Sequence, residues 1–430
     1  MRYKPLPFLV YKNNRKSFSK HIEGMGLAVF NSNDIYPVSA DSTLPFSQHR
    51  DIFYLSGIDQ EETILVLFPG AKNPINREIL FIKKTNEQIA IWEGEKLSKE
   101  KAKKLSGIEN IKWLSEFEST FYDLASESDL LYFNTNEHYR AKNETETRED
   151  RFIKWAKNKY PAHKVGKSNP ILQRLRAIKS NEEINQIKKA CEITEKGINR
   201  IINFIKPGVW EYEIEAELIH EFTKNQSKGF AYSPIIASGK NTNILHYELN
   251  NQKCYSGDLI LLDVAAEYGN YSSDLTRTLP ISGKYSDRQK KVYNSVLNVK
   301  NLATKLLTPG ILIADYHKEV GEIMTSELLK LGLLKKVDIQ NQSAKNPAYK
   351  KYFMHGTSHH MGLDTHDYGL LSEPLKPNMV LTVEPGIYIP EEGFGIRLED
   401  DIVIKENGEP VNLMRDIPIE AEEIETLMNS

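Results

Sequence analysis

Four carboxylates and one imidazole (Asp263, Asp274, Glu384, Glu399 and His359) stand in segments that otherwise read as buried strands or tight turns. Folded together, such a set repels itself. Buried acids must be neutralised by protons, by basic partners or by a cation. If the five converge, a pair of hard divalent ions is the simplest resolution, and two bridged ions can activate water for hydrolysis.

The local sequence supplies strands to carry these acids. Asp258–Ala265 (DLILLDVA) is an apolar run suited to a buried strand, Glu267-Tyr268-Gly269-Asn270 is turn chemistry, and Tyr271–Thr278 returns as the partner. With the turn centred between Tyr268 and Gly269, Asp263 lies directly opposite Asp274. Such neighbours have β-carbons roughly 5 Å apart, and like charges there destabilise unless a metal sits between them. A register shifted by one residue instead turns Asp274 to a solvent face. Val380–Glu384 (VLTVE) reads as a second strand, ending at Pro385-Gly386. Gly395–Ile404 (GIRLEDDIVI) reads as one more, with Glu399 at its middle and Arg397 on the same face. An Arg397–Glu399 ion pair is the competing use of that spacing, and Asp400 and Asp401 read as helpers or surface acids.

Histidines gather nearby: His355, His359, His360 and His366 fall in one loop-like stretch. A lone histidine signals little, but a cluster is a stronger sign. The spacing is not the helical HExxH of zinc proteases. His246, in ILHYE, is an isolated further candidate.

Helices must hold these strands in place. Ser180 and Glu183 form a capping box. Ile184, Ile187, Cys191, Ile198, Ile202 and Ile205 then make one apolar stripe, with Thr194 its polar member, and Pro207-Gly208 stops it. A second helix follows from Glu211 to about Lys224. The pattern returns about a hundred residues on: a helix from Ser286 through Val292, Val296, Val299 and Leu306, a stop at Pro309-Gly310, and another helix from Ala314 to Leu331. Each copy is followed by paired strands containing two acids. Folding about a pseudo-twofold axis would bring the acid pairs face to face.

The chain has 430 residues, which favours two domains. Gly26–Phe30, Thr63–Phe68, Glu78–Ile82 and Leu130–Phe133 read as strands of an α/β domain. An almost wholly polar stretch from Glu137 to Asp150 and a basic one to Lys167 place the boundary near residues 165–175. The expected domains are therefore 1–170 and 171–430. A formal charge of −3 offers no basic field for nucleic acid. The lysine-dense KLSKEKAKK stretch reads as a solvated helix face. Cys191 and Cys254 lack metal-type spacing and read as inert thiols of a reduced compartment. The N-terminal apolar stretch, broken by Pro5 and Pro7, is too short for a signal peptide. No run reaches membrane-spanning length, so the cytoplasm is expected.

LLDVAAEYGNYSSDLTRT from Leu261, HGTSHHMGLDTHD from His355, TVEPGIY from Thr382 and GIRLEDD from Gly395 resemble the pita-bread metallopeptidases, and within them the Xaa-Pro aminopeptidases (aminopeptidase P). PFSQHRDIFYLSGIDQEETILVLFP, from Pro45, resembles their creatinase-like N-terminal domain. The resemblance covers most of the chain. It implies an α/β N-terminal domain followed by an α+β pita-bread catalytic domain with internal pseudo-twofold symmetry. It implies two divalent ions, commonly Mn²⁺: Asp263 binding one, Asp274 and Glu399 bridging both, His359 and Glu384 completing the other. A hydroxide held between the ions would attack the Xaa-Pro carbonyl. Glu384 would take part in proton transfer, His366 would stabilise the oxyanion, and His246 would contact the scissile amide or its proline nitrogen. His355 would line the pocket, and Arg397 would brace the bridging acids. Peptides with proline second are the implied substrates, and a homo-oligomer, dimer or tetramer, is the implied assembly.

His360 stands where many relatives carry an aromatic residue. Trp92, in IWEGEKL, resembles a tryptophan that reaches a neighbouring subunit's active site in some relatives, with core or surface packing as its alternative role. Prolidase, which cuts Xaa-Pro dipeptides, is the alternative activity. A non-catalytic pita-bread binding module would be expected to lack several of the five ligand positions, and this chain keeps all five.

Overall fold

A computed structural model of the chain describes residues 2–138, 140–141 and 144–430, in two compact units. The first comprises Pro5–Arg176. Its six-stranded sheet runs in the order Asn110–Trp113, Glu78–Ile82, Ile64–Leu67, Gly26–Asn31, Leu130–Phe133, Lys164–Lys167. Only Ile64–Leu67 opposes its neighbours; the remaining pairings are parallel. The four inner strands match the apolar runs of the sequence. The two edge strands do not announce themselves, because Asn110–Trp113 buries a single residue and Lys164–Lys167 none. An edge facing solvent needs no apolar run.

Part of the polar Glu137–Asp150 stretch, at residues 139, 142 and 143, lies outside the described residues. The basic stretch beyond it forms the helix Arg148–Lys159, opened by a Thr147–Asp150 capping box. Phe152, Ile153 and Ala156 face the sheet from it and join Phe117 and Phe121 in an aromatic-rich core. The KLSKEKAKK lysines lie on the short helix Lys99–Ser106, with Ala102 inward.

The second unit is Ala177–Ser430 with the segment ending at Lys4. Its helices follow the sequence closely. Asn181–Ile202 opens on the Ser180/Glu183 box, and Glu211–Lys224 follows. Asp287–Leu306 opens on a Ser286/Gln289 box, and Ile313–Lys330 follows. Each helix pair precedes a three-stranded sheet. In the first, Leu259–Asp263 lies between Ile235–Ser238 and Thr276–Pro280; in the second, Asp400–Val403 lies between Val380–Val383 and Val411–Asn412. The halves join where the Glu399 N–H donates to the Thr276 carbonyl at 3.0 Å.

Two strand expectations are corrected. The hairpin pairs Tyr268 with Tyr271, so Asp263 faces Thr276, not Asp274. Gly269 (φ 61°) and Asn270 (φ 68°) supply the two left-handed residues that such a turn demands, which centres it one position later than expected. Every partner therefore moves by two residues. Because strand side chains alternate, a two-residue slip keeps Asp274 on the same face as Asp263's partner, whereas a one-residue slip would have reversed it. Secondly, Gly395–Ile404 is not one strand. Phe394–Arg397 pairs with Gly386–Ile389, Asp400–Val403 pairs with Val380–Val383, and Glu399 occupies the corner between them.

Candidate metal centre

The strand ends converge on one cluster. A single oxygen or nitrogen from each of Asp274, His359 and Glu399 lies within 4.8 Å of the others. His359 Nε2 is 3.4 Å from Asp274 Oδ2 and 3.5 Å from Glu384 Oε1. Asp263 ends its strand beside them, and its Oδ2 accepts from Arg397 Nη2 at 2.7 Å. Asp263 Oδ1 is buried and, among the described residues, has no hydrogen-bond partner, which suits an atom that could ligate a cation.

The electrostatics agree. Burial raises the pKa of Asp263, with Arg397 opposing and Asp274 adding to the rise. Burial pushes Glu384 up to about 7 against the charge of His359. Burial first, then Asp274, Glu384 and Asp263, hold Glu399 well above the carboxylate range. These acids need positive charge close by; Arg397 pairs with Asp263, and His359 and Arg397 both act on Glu384, yet burial still holds the three pKa values up. For His359, burial favours the neutral ring, but Asp274 and Glu384 outweigh it and raise the pKa. A set of oxygen donors with one imidazole fits a divalent cation of hard to borderline character.

Arg397 sits differently from the sequence expectation. Among the described residues it makes no ion pair with Glu399. It holds Asp263, donates to the Tyr388 hydroxyl at 2.8 Å, and donates to Thr276 Oγ1 at 3.1 Å. Thr276 in turn donates to Glu399 Oε2 at 2.7 Å. Burial would lower the Arg397 pKa, but Tyr388, Asp263 and Glu399 keep it well above its ordinary value. Asp400 and Asp401 are buried, so neither is a surface acid. Asp400 is held by Arg277 at 2.7 Å and by Lys300. Asp401 accepts from the Asp274 backbone N–H at 3.0 Å and from the Cys191 thiol at 3.5 Å. Both cysteines are free and buried.

The histidines surround this cluster. His355 Nδ1 donates to the Gly356 carbonyl at 2.8 Å, which leaves Nε2 to accept from Tyr388 at 2.8 Å. Burial, then the Arg397 charge, pushes His355 down to about 3. The His366 ring packs edge-on to His359, centroids 4.4 Å apart. His246 is exposed in the turn after the short Gly239–Asn243 helix, near enough for its charge to act on His355. His360 is buried, with Lys179 and Asp367 acting on its ring. Its backbone carbonyl accepts from His359 Nδ1 at 3.0 Å, orienting that ring.

Thr276, Tyr388 and Tyr232 escaped the sequence reading. Tyr232 is raised well above its ordinary value by burial and then by Asp263, Asp274 and Glu399, which puts it against the cluster. Thr276 and Tyr388 belong to DLTRT and TVEPGIY, so their motifs were visible although their contacts were not.

A two-domain chain with a carboxylate-rich metal-ligand cluster at the meeting of two repeated halves is a metallohydrolase in form. A family model described as metallopeptidase family M24 matches residues 185–406, and one described as aminopeptidase P, N-terminal domain, matches residues 11–132. The chain is 37% identical to an Escherichia coli (strain K12) Xaa-Pro aminopeptidase over 91% of its length and 90% of the relative's. It superposes on the low-pH form of E. coli aminopeptidase P with a TM-score of 0.90, at 33% identity and 99% coverage of both chains. A zinc-substituted E. coli aminopeptidase P in complex with product gives 0.88 at 32% identity, again over 99% of both chains. The chain belongs to metallopeptidase family M24.

Proposed function

We propose that this chain is a metal-dependent Xaa-Pro aminopeptidase, releasing the first residue of peptides that carry proline second. The observation that carries this reading is the convergence of Asp274, His359 and Glu399. Asp263, Asp274, His359, Glu384 and Glu399 would hold a pair of Mn²⁺ ions, with Asp274 and Glu399 shared. When bound, such ions supply Lewis acidity and a water acidic enough to serve as nucleophile near neutral pH.

The remaining chemistry falls to the chain. Glu384, whose Oε1 lies 3.5 Å from His359 Nε2 in the ligand cluster, would take and give a proton at its carboxylate. His355 stays neutral, and the relay from Arg397 through Tyr388 to His355 fixes its tautomer. His366 would donate to the developing oxyanion and His246 would contact the scissile amide or its proline nitrogen. Proline lacks an N–H, so a site that receives its ring is free of the hydrogen bond a general peptidase requires. These groups all fall within the proposed catalytic domain, 171–430, behind a proposed N-terminal domain, 1–170.

Prolidase activity is not favoured. Activity on Xaa-Pro-Yaa peptides exceeding that on Xaa-Pro dipeptides is the expected outcome. We take the assembly to be a homo-oligomer, because Trp92 and Ile91 stand 82% and 80% exposed on the helix Glu87–Glu93, which argues against a core role. We take the setting to be cytoplasmic, with neither nucleic acid nor membrane as partner. Among the described residues no helix is long and apolar enough to cross a membrane. The deciding experiment is peptide cleavage after chelation, with and without added Mn²⁺: activity should vanish and return. Chelator-insensitive cleavage would overturn the reading.

A further inference from the structure

The helix Glu211–Lys224 begins with an acid that the proposed chemistry does not use. Glu211 is fully buried, and a buried carboxylate must be held by well-placed donors. Its donors are neutral groups. Oε1 accepts from the Ser238 N–H at 2.8 Å and from the Ser238 hydroxyl at 2.7 Å. Oε2 accepts from the Tyr247 hydroxyl and from the Gln252 N–H, both at 2.9 Å. The Glu211 N–H also donates to the Gln252 carbonyl at 3.0 Å. One carboxylate thus clasps both ends of the segment 238–252, which carries His246.

Further contacts fix the same segment. Glu215, one turn along the same helix face, accepts from Asn250 Nδ2 at 3.0 Å, and Asn250 Oδ1 accepts from the Ile236 N–H at 3.0 Å. Thr242 Oγ1 accepts from the Gly395 N–H at 2.7 Å, which ties the segment to the strand Phe394–Arg397. Leu245 and Tyr247, on either side of His246, pack inward with Leu261 and Tyr388. His246 between them is exposed, and its charge acts on His355 beside the ligand cluster. Where that imidazole stands is therefore set by contacts remote from it.

We infer that Glu211 is a positioning residue for His246, an inference that rests on the aminopeptidase reading in which His246 meets the scissile amide. Amide hydrogen exchange of the full-length, Mn²⁺-loaded protein reads the clasp without catalysis. Glu211→Gln keeps the side-chain volume but offers one acceptor oxygen in place of two, so part of the clasp is lost. Residues 239–252 should then exchange at least about tenfold faster, with bound Mn²⁺ per chain unchanged. On an Xaa-Pro-Yaa peptide, kcat should fall about tenfold or more while KM changes less. In a His246→Ala background the same substitution should cost less than about twofold in kcat, a coupling that a general loss of packing does not give. Tyr247→Phe removes one hydroxyl and leaves the ring in place; it should shift exchange and kcat in the same directions, and it serves if Glu211→Gln does not fold. Unchanged exchange in the variants, or equal losses of kcat with and without His246, would overturn the assignment while leaving the aminopeptidase reading intact. Faster exchange in a protein whose parent cleaves no Xaa-Pro peptide would refute that reading and the catalytic role drawn from it, with the clasp itself upheld.

Discussion

Asp274 and Glu399 each present a carboxylate to the same small volume, so neither can be replaced without dispersing the positive charge held there. Asp274→Ala or Glu399→Ala should reduce kcat on the order of a thousandfold or more. Initial rates near those of the parent protein would contradict the shared-ligand assignment. A different residue sets a pH dependence. Glu149 is buried in the α/β unit, hydrogen-bonded by Asn31 at 2.8 Å, and burial raises its pKa to about 7. A raised carboxyl pKa means that the folded state binds the proton more tightly. Its contribution is full below the unfolded value and is lost as pH rises through about 7, amounting to about 3 kcal/mol. Urea unfolding of Glu149→Gln between about pH 5 and 8 should show a flatter stability profile than the parent. An unchanged profile would mean that Glu149 does not titrate in the fold.

At the scale of elements, the long helix Asn181–Ile202 depends on its first turn. The Ser180 hydroxyl accepts from the Glu183 N–H while Glu183 accepts from the Ser180 N–H, so Ser180→Ala should cost about 1 kcal/mol in denaturant unfolding. The strand Phe394–Arg397 has a sharper requirement. A β-carbon at Gly395 would lie 2.6 Å from the Thr242 carbonyl oxygen and 2.7 Å from the Tyr388 ring. Gly395→Ala should therefore displace Tyr388 and, with it, the Arg397–Asp263 contact, lowering activity and melting temperature together. The Glu399 corner follows from the same geometry. A continuous strand would have kept Arg397 and Glu399 on one face, whereas the corner frees Arg397 for Asp263 and turns Glu399 towards Thr276.

For the whole molecule, two halves that repeat the same order of elements place their acids at the shared seam, and the seam tolerates this only with added positive charge. The metal-free protein should melt at a lower temperature than the Mn²⁺-loaded protein. The gap should widen as pH rises, because Glu384 and Glu399, with raised pKa values, hold protons in place of metal at lower pH and lose them at higher pH. Calorimetric melts with chelator and with Mn²⁺ measure both, and a pH-independent gap would argue against proton–cation exchange at the site. Sedimentation should show a multiple of the 49.3 kDa chain mass, reduced by Trp92→Ala if that exposed ring contacts a second copy.

The helices of the catalytic half, their capping boxes and stops, the four inner strands of the α/β unit and the ligand motifs were all determined by local sequence. Each rests on spacing or on chemistry within a few neighbouring residues. The hairpin register, the break at Glu399, the partner of Arg397 and the roles of Thr276 and Tyr388 were decided by tertiary structure. The break at Glu399, the Arg397–Asp263 pair and the Thr276 contacts depend on hydrogen bonds between segments more than a hundred residues apart, such as Thr276 with Glu399, and no local pattern encodes which distant backbone a strand will meet. The turn is the intermediate case: Gly269-Asn270 carried the needed left-handed conformations in its residue types, and only the folded ribbon showed that both were used.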